Sequence, residues 1–341
     1  MVARPRRPRQ PQQLRPQARD RTQRRVAIGV DIGATNTKAV LATADGTVLD
    51  RLHLPTRLGG AEAMLAGVDE SVARLRERLD ATGVPDLAAL GLASGGRYSQ
   101  ADGTVVFATG ALPGWLGTPV RDMLTHRYGL PSWVDNDGNA AALAEWTCGA
   151  GQGSDIFVGL TLGTGLGGGV LIGGRLVQGV RGNAGEFGHL TIDEQGRPCS
   201  CGGRGCWERY VSSVALVEAV EDAIREGRAT RPMEELRATA TLTARSIGQA
   251  ARQGDTCALS AIAELGRWLG VGLRNVINVL DPDLVTLAGG LAELDNLLVA
   301  PALDELARQR VPVPRIARAR LDIWAGAVGA ALGGLSLVAS P

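Results

Sequence analysis

The sequence is short of several residue types, and each shortage narrows what the protein can be. Among 341 residues there are only three histidines and five cysteines, and Phe, Trp and Tyr together make up 4%. So few cysteines favour a reducing compartment over a disulfide framework. Scarce aromatics beside 47 glycines predict many tight turns and sites lined by backbone. The length itself suggests about two domains.

Long hydrophobic runs are also missing. No apolar stretch reaches the roughly 18–20 residues that a membrane-spanning helix requires. Residues 1–25 contain arginine and proline rather than the apolar segment of a secretory signal. We therefore expect a cytoplasmic protein with no membrane partner.

The formal net charge of +1 hides an uneven distribution. Residues 1–25 hold nine arginines and one aspartate, a local charge of +8, which leaves about −7 on the rest of the chain. Residues 26–341 are therefore too acidic to offer the broad basic face of a nucleic-acid-binding protein, so no nucleic-acid partner is expected. The tail has almost nothing to bury, which favours disorder. A weak contact with a polyanion and an incorrectly assigned start codon are the alternatives.

The pattern of apolar runs and turns indicates two similar α/β halves. From Val26, three short apolar runs predict three strands, and a helix over 60–81 follows. After a glycine-rich break, a second series of strand, glycine turn and strand begins at Ile156–Leu162. This is a weak internal repeat, and two similar halves that face one another would form a cleft. Further strands are predicted at 87–93, 132–134 and 284–287, and further helices at 117–128, 139–148, 213–226, 243–253, 255–280, 294–309 and 325–336.

Two glycine turns offer groups that bind phosphate. Exposed amides in such turns form anion-binding concavities, and a neighbouring carboxylate suits Mg²⁺. Each turn leads into a strand and lacks the Walker spacing, so neither is a Walker loop or a dinucleotide fingerprint. Two ordinary hairpin turns are the alternative, but their matching places in the two halves favour phosphate. The candidate groups are Asp31, Gly33, Thr35, Asn36 and Lys38 in the first turn, and Gly163, Thr164 and Gly165 in the second.

Polar residues follow two other predicted strands. Asp135 and Asp137 come at the end of a short strand, where ligand crevices form in α/β sheets. Either could accept a proton from a hydroxyl or could cap the next helix, and both interpretations stay open. Gly96 and Arg97 follow another strand, and spacing alone favours a turn with a surface arginine. Thr109 is equally ambiguous.

A cluster of soft metal ligands lies within eighteen residues. It consists of His189, Cys199, Cys201 and Cys206, flanked by Glu186 and Glu208. Three thiolates and an imidazole suit tetrahedral Zn²⁺. A disulfide is the weaker interpretation, because Cys199 and Cys201 are too close in sequence to pair comfortably. The cluster is therefore either a structural staple only or also part of an active site.

These motifs together resemble the ROK family of sugar kinases, repressors and related proteins. The resemblance runs from Val26 to about Leu337, and its signs are the runs DIGATNTK at 31–38, NDGN at 136–139, GTGLGGG at 163–169, GEFGH at 185–189 and CSCGGRGCWE at 199–208. It implies an α/β, actin-like ATPase (ribonuclease H-like) duplicated fold, with two domains around a cleft that holds ATP and a sugar. The implied domains are 26–141 plus about 325–341, and 142–324 with a zinc-binding loop at 185–208.

The resemblance also implies roles for individual residues. Asp137 would be the general base, and the two glycine turns would hold ATP together with the pair Gly289 and Gly290. Asn136, Glu186, His189 and Glu208 would bind sugar hydroxyls, and His189, Cys199, Cys201 and Cys206 would hold structural Zn²⁺. The implied cofactors are ATP, Mg²⁺ and Zn²⁺, and the implied assembly is a homodimer or homotetramer.

Two groups within the family share features with this chain. The residues around Gly96, Arg97 and Thr109 resemble the substrate contacts of an N-acetylmannosamine kinase, whereas the second glycine turn looks equally like that of actinobacterial glucokinases. Those glucokinases usually carry Asn where this chain has Leu112, so one sugar contact is missing or supplied elsewhere. Ala34 replaces the usual Gly of the first turn. Trp115 is a further candidate to line the sugar site.

We therefore expect an ATP-dependent kinase that phosphorylates the primary (6-type) hydroxyl of a hexose, with N-acetylmannosamine or glucose as the best candidates. An aminosugar such as kanosamine and a sugar-like cyclitol are alternatives. A sugar-responsive repressor would need a helix-turn-helix domain, and the roughly 25 residues before the first strand do not provide one. A sugar-binding protein without kinase activity is the third possibility.

Overall fold

The computed structural model of the protein describes residues 25–82, 87–108, 110–239 and 241–338. Two five-stranded sheets dominate these residues, and a short two-stranded sheet accompanies the first of them. The strands are β1 (Val26–Ile32), β2 (Asn36–Thr43), β3 (Val48–Pro55), β4 (Leu87–Ser94), β5 (Arg97–Tyr98), β6 (Val105–Phe107), β7 (Ser132–Asn136), β8 (Ile156–Leu162), β9 (Leu166–Ile172), β10 (Arg175–Leu176), β11 (Leu284–Ala288) and β12 (Arg315–Arg318).

Helices connect and cover the sheets. They are α1 (Ala61–Thr82), α2 (Val120–Tyr128), α3 (Asp137–Cys148), α4 (Ser213–Arg225), α5 (Arg231–Thr239), α6 (Ala244–Arg252), α7 (Thr256–Leu280), α8 (Asn296–Arg308) and α9 (Ala325–Ser336). Across the described ranges, none of these helices is long and apolar enough to cross a membrane.

Both large sheets have the same topology. Their strand orders are β3-β2-β1-β4-β7 and β10-β9-β8-β11-β12. In each sheet, three consecutive strands form an antiparallel meander: β1 to β3 in the first and β8 to β10 in the second. The first strand of each meander also pairs in parallel with a later strand, β4 or β11, and that strand pairs in parallel with β7 or β12. The weak repeat in the sequence is therefore a complete structural duplication, and the predicted duplicated α/β fold is confirmed.

Each sheet has its own aliphatic core. Helix α1 buries Leu65, Val68 and Leu75 in the first core, as their helical spacing predicted. Helix α7 packs its apolar side chains into the second core. Trp115 is fully buried in the first core and donates its indole N–H to Ser94 Oγ at 3.0 Å. The suggestion that Trp115 lines the sugar site is therefore wrong.

The C-terminal helix α9 returns to the first sheet. Its backbone comes so close that a Cβ added at Gly29 would lie 2.0 Å from the carbonyl oxygen of Ala327. A Cβ at Gly329 would lie 1.7 Å from the carbonyl oxygen of Ala140 in α3. Small residues thus allow α9 to pack against β1 and α3 at backbone distance. The boundaries proposed for the two domains stay a prediction.

Several element boundaries differ from the sequence prediction. Helix α2 begins at Val120 rather than 117, because Gly117 has a φ of 80° and Pro119 precedes the helix. Helix α5 and strand β12 were missed, since both are rich in charged residues and bury little. The hairpin formed by β5 and β6 was missed too, because its strands are only two and three residues long. The proposed disordered tail lies outside the described residues, apart from Arg25.

Adding one methyl group at Gly29 tests the contact between α9 and the first sheet. We expect Gly29→Ala to lower the free energy of unfolding by about 1–3 kcal/mol, because the added Cβ overlaps the backbone of α9. Chemical denaturation measures the change. Gly67→Ala is the matched control: Gly67 lies within α1, its added Cβ meets nothing closer than 3.9 Å, and stability should stay equal or rise. Equal losses in both variants would contradict the account.

Candidate active site

Asp137 lies at the first position of α3, where the end of β7 enters the helix. The side chain of Asn136 caps this helix: its Oδ1 accepts hydrogen bonds from Gly138 N at 2.8 Å and Asn139 N at 3.3 Å. Its Nδ2 donates to the carbonyl oxygen of Gly96 at 2.9 Å. The alternative in which Asp135 or Asp137 is the cap is therefore wrong. Because Asn136 does the capping, the Asp137 carboxylate keeps acceptor capacity for a ligand.

Asp135 has a structural environment instead. It is buried and accepts hydrogen bonds from Asn139 Nδ2 at 2.9 Å and from Gln178 Nε2. Gln178 follows β10 of the second sheet, so this carboxylate links the two halves at the base of the cleft. The sequence analysis did not find Gln178, since no local motif marks it.

The electrostatics of Asp137 come from its position in the cleft. Its side chain is accessible, yet the cleft walls displace enough water that desolvation raises its pKa. Asp31 is close enough to interact with it. Burial raises the pKa of Asp31 to about 6, although the ion pair with Lys38 Nζ at 3.2 Å opposes the shift. The two carboxylates and Lys38 thus form one charged group.

The first glycine turn joins β1 to β2. Gly33 N donates to Asn36 O at 3.0 Å, and Ala34 and Thr35 at its tip are exposed. Thr56, just after β3, fixes the turn because its Oγ1 donates to Gly33 O at 2.7 Å and its N donates to Thr35 O at 2.9 Å. The sequence analysis missed Thr56, which lies well outside the motif.

The second turn, between β8 and β9, meets the predicted glycine pair. Gly289 reaches Leu162 so closely that a Cβ on it would lie 2.5 Å from the Leu162 carbonyl oxygen. A cavity of about 180 Å³ opens beside this junction. Three of the residues predicted for the nucleotide side line this cavity: Gly163, Thr164 and Gly290. Polar residues that the sequence analysis missed also line it, among them Ser213, Arg245 and Arg252.

A larger cavity of about 440 Å³ lies beside the acidic and imidazole groups. His189 Nε2 is 3.9 Å from Glu186 Oε2, and His189 Nδ1 is 3.8 Å from Glu208 Oε1. Desolvation raises the pKa of Glu186, while His189 and Arg97 oppose the shift and Asp137 adds to it. Glu186 and His189 therefore line the cavity together with Arg97 of a distant motif, whereas Glu208 lies on the thiol side of His189, where its Oε1 is 3.1 Å from Cys199 Sγ.

Arg97 faces this cavity from the first half of the chain. Its guanidinium stacks over the ring of Phe107 at 4.6 Å and donates to Asn183 Oδ1 at 2.5 Å. All three residues line the larger cavity. Arg97 is therefore part of the cavity wall, and its role in binding a substrate stays a prediction. Asn183 and Phe107 were missed by the sequence analysis, and Thr109 lies outside the described residues.

The four predicted metal ligands are brought together. The Nδ1 or Nε2 of His189 and the Sγ atoms of Cys199, Cys201 and Cys206 all lie within 4.8 Å of one another. Cys201 Sγ and Cys206 Sγ are 3.6 Å apart, and His189 Nδ1 is 3.8 Å from Cys199 Sγ. Three thiols and one imidazole at this spacing fit a tetrahedral Zn²⁺. The cysteines remain free thiols, and none is in a disulfide.

Comparison with known proteins identifies the family of the chain. The model of the ROK family matches residues 27–333, which is most of its length. The chain belongs to the ROK family. Its duplicated topology is accordingly that of the actin-like ATPases, as expected.

Kinases are prominent among the relatives. A glucokinase from Streptomyces coelicolor is 35% identical over 316 residues, which cover 90% of this chain and 96% of that enzyme. The crystal structure of a ROK family glucokinase from Streptomyces griseus, in complex with glucose and AMPPNP, is 34% identical with a TM-score of 0.74. The match covers 90% of this chain and 98% of that one. The expected enzyme class, an ATP-dependent carbohydrate kinase, is confirmed.

Repressors also occur among the relatives. A xylose repressor from Caldicellulosiruptor bescii is 28% identical, with a match over 87% of this chain and 73% of the repressor. The ROK family therefore contains repressors as well as kinases.

The metal cluster generates a direct prediction. We expect the purified protein to contain about one zinc per chain, and Cys201→Ser to lose it, to unfold at lower temperature and to raise the sugar KM about tenfold or more. Metal analysis, thermal unfolding and steady-state kinetics measure these effects. Cys257→Ser, which changes a buried thiol on α7, should keep the zinc and the KM. Zinc loss with an unchanged sugar KM would show that the cluster only stabilises the fold and does not orient the sugar site.

Proposed function

We propose that the protein transfers the γ-phosphoryl group of MgATP to the primary hydroxyl of a hexose, with glucose as the first candidate. The observation that carries this proposal is the position of Asp137 at the start of α3. The preceding residue, Asn136, donates to Gly96 O, next to Arg97 on the wall of the larger cavity. The charges of Asp31 and Lys38 beside the first glycine turn, and that of Glu186 on the cavity wall, act on the same carboxylate. A base between a phosphate site and a hydroxyl-binding wall is what phosphoryl transfer to a sugar requires.

The nucleotide side consists of the two turns. The first turn presents exposed backbone at Ala34 and Thr35, and Lys38 supplies a cation next to Asp31. The second presents Thr164 to the smaller cavity, and Gly290, which follows β11, lines the same cavity. Asp31 is the carboxylate suited to hold Mg²⁺, which when bound would neutralise phosphate charge. We assign the remaining predicted residues to the same nucleotide side: Gly33 and Asn36 of the first turn, Gly163 and Gly165 of the second, and Gly289 after β11.

The sugar side consists of the acidic and imidazole wall. Glu186 and Glu208 offer oxygens that accept hydrogen bonds from sugar hydroxyls. Asn136, whose Oδ1 caps α3 and whose Nδ2 donates to Gly96 O, keeps one N–H to donate to a sugar oxygen. His189 directs Nδ1 toward the thiols and Nε2 toward Glu186, so one ring can join the metal cluster and the sugar site. A bound Zn²⁺ would hold this loop rigid, and the loop would then orient the hydroxyl-binding groups.

The transfer itself needs a proton acceptor and a dry site. The oxygen of the primary hydroxyl attacks the γ-phosphorus, the bond from the γ-phosphorus to the β,γ-bridging oxygen breaks and ADP leaves. Ionised Asp137 accepts the proton of the hydroxyl in this step. The raised pKa of Asp137 brings its basicity closer to that needed near neutral pH. Closure of the two halves would exclude water and limit hydrolysis of ATP. Asp137 stays ionised only above its pKa, so it is inactive as a base in acid.

Three observations bear on the sugar. The relatives at 33–35% identity are glucokinases, which favours glucose. Against that, Leu112 is buried in the first core beside Trp115, so it offers no polar group to a sugar. Arg97 on the cavity wall favours N-acetylmannosamine as the second candidate, because its guanidinium could donate to an acyl oxygen. Aminosugars and cyclitols, an oligomeric assembly and a cytoplasmic location stay predictions.

Replacing Asp137 tests the proposal. Asp137→Asn should fold normally and still bind glucose, but kcat should fall by about 10²–10⁴ because the amide cannot accept the hydroxyl proton. Calorimetric titration with glucose and an ADP-release assay separate the two properties. Asp304→Asn, which changes an exposed carboxylate on α8, is the matched control and should keep wild-type turnover. Near-normal turnover of Asp137→Asn would remove this residue from the role of base.

The pH profile gives an independent test. Because desolvation by the cleft walls raises the pKa of Asp137, the group takes up its proton at a higher pH than an ordinary aspartate does. We expect kcat/KM for glucose to fall as the pH is lowered through this raised value, at a higher pH than that at which an ordinary aspartate titrates. Rates measured at saturating ATP, in buffers from about pH 4 to about pH 9, show the pH at which kcat/KM falls on the acidic side. An activity that stays flat down to the ordinary pKa of aspartate would contradict the assignment.

A further inference from the structure

The chain passes between its two halves twice, and both passages meet at one side chain. The first crossover, residues 149–155, leads from α3 to β8. The second, residues 319–324, leads from β12 to α9. Glu145 lies in the last turns of α3 between them, and only 2% of it is exposed. No motif in the sequence marks it as part of the site.

The carboxylate of Glu145 binds both crossovers at once. Oε2 accepts a hydrogen bond from Ala150 N at 2.8 Å in the first crossover. Oε1 accepts from Arg320 N at 2.8 Å and Leu321 N at 2.7 Å in the second. In the described part of the chain Glu145 forms no salt bridge, so three backbone N–H groups satisfy its charge. A carboxylate suits this position because all three partners are donors.

The surrounding backbone is also arranged around this carboxylate. A Cβ added at Gly149 would lie 2.1 Å from Glu145 Oε2, so only glycine leaves room for the contact. The carbonyl oxygen of Glu145 accepts from Gly149 N at 3.0 Å and Gly151 N at 2.8 Å. In the second crossover, Ala319 N donates to Leu287 O at 2.9 Å, which ties its start to β11. Glu145 therefore holds the point where the second crossover leaves the second sheet.

We propose that Glu145 is a positioning residue that joins the two crossovers into one pivot for closure of the halves around sugar and ATP. This inference rests on the proposed kinase function. Glu145 is eight residues after Asp137 on the same helix, about 12 Å along its axis, so it does not touch the substrate. Because α3 carries both residues, the pivot fixes the direction in which Asp137 approaches the phosphate turns on closure.

The substitution Glu145→Gln tests the pivot with little change in shape. An amide presents one oxygen and one NH₂ group, so its NH₂ would face an N–H of one crossover. We expect kcat for glucose phosphorylation to fall about tenfold or more, since hinge residues and small misplacements affect turnover. Small-angle X-ray scattering should show that wild type becomes more compact with glucose and a non-hydrolysable ATP analogue, and that the variant loses most of this change.

A second variant and a control complete the experiment. Gly149→Ala retains Glu145 but pushes its carboxylate off the first crossover, so it should reproduce the kinetic and scattering changes even if Glu145→Gln does not fold. Glu305→Gln changes another buried glutamate, on α8, whose partners are Arg308 and Gln309, and should behave like wild type. Wild-type kcat and compaction in Gly149→Ala, or in a folded Glu145→Gln, would overturn the pivot, whatever the melting temperature. Failure of the proposed function would instead appear as absent ADP release in wild type.

Discussion

The architecture of the site depends on the close packing of α3 between the two halves of the chain. A Cβ at Gly138 would lie 2.8 Å from backbone atoms of Gly168 in β9, and one at Gly169 would lie 2.7 Å from Cβ of Ala142. On the opposite side, a Cβ at Gly329 of α9 would lie 1.7 Å from the carbonyl oxygen of Ala140 in α3. Larger side chains at these glycines would push α3 away from β9 and α9. Because the glycines lack side chains, the start of α3, with Asp137, can lie at the floor of the cleft.

The chemistry of the cleft follows from that position. Asp137 receives the electrostatic influence of the first phosphate turn and of the acidic wall because both surround the start of the same helix. Asn136 caps the helix, and Asp135 ties it to Gln178 of the second half, so neighbouring residues take the structural tasks. The Asp137 carboxylate, whose Oδ1 also accepts from Gly138 N at 3.0 Å, thereby keeps acceptor capacity for the substrate hydroxyl that we propose.

Sequence reasoning reached furthest where a motif consists of contiguous residues. It predicted that His189 and the three cysteines come together, and the structure shows this. It also singled out both glycine turns and Asp137, because backbone requirements fix residue types at short spacing, and the roles assigned to these residues stay predictions. It failed where a role depends on contacts between distant segments. Thr56, Asn183, Gln178 and Glu145 belong to no motif, and only the tertiary structure brings them to their partners. Trp115 was misassigned because a glycine-proline turn does not reveal on which side its aromatic ring packs.

The most direct test of the account is ADP release by the wild-type protein across a panel of hexoses, hexosamines, N-acylhexosamines and cyclitols. The account predicts that a hexose with a free primary hydroxyl, glucose first, raises the rate far above that of ATP alone. It also predicts that the 6-deoxy analogue does not, because it lacks the hydroxyl from which Asp137 takes the proton. A rate that no sugar raises, or that 6-deoxyglucose raises equally, would contradict it.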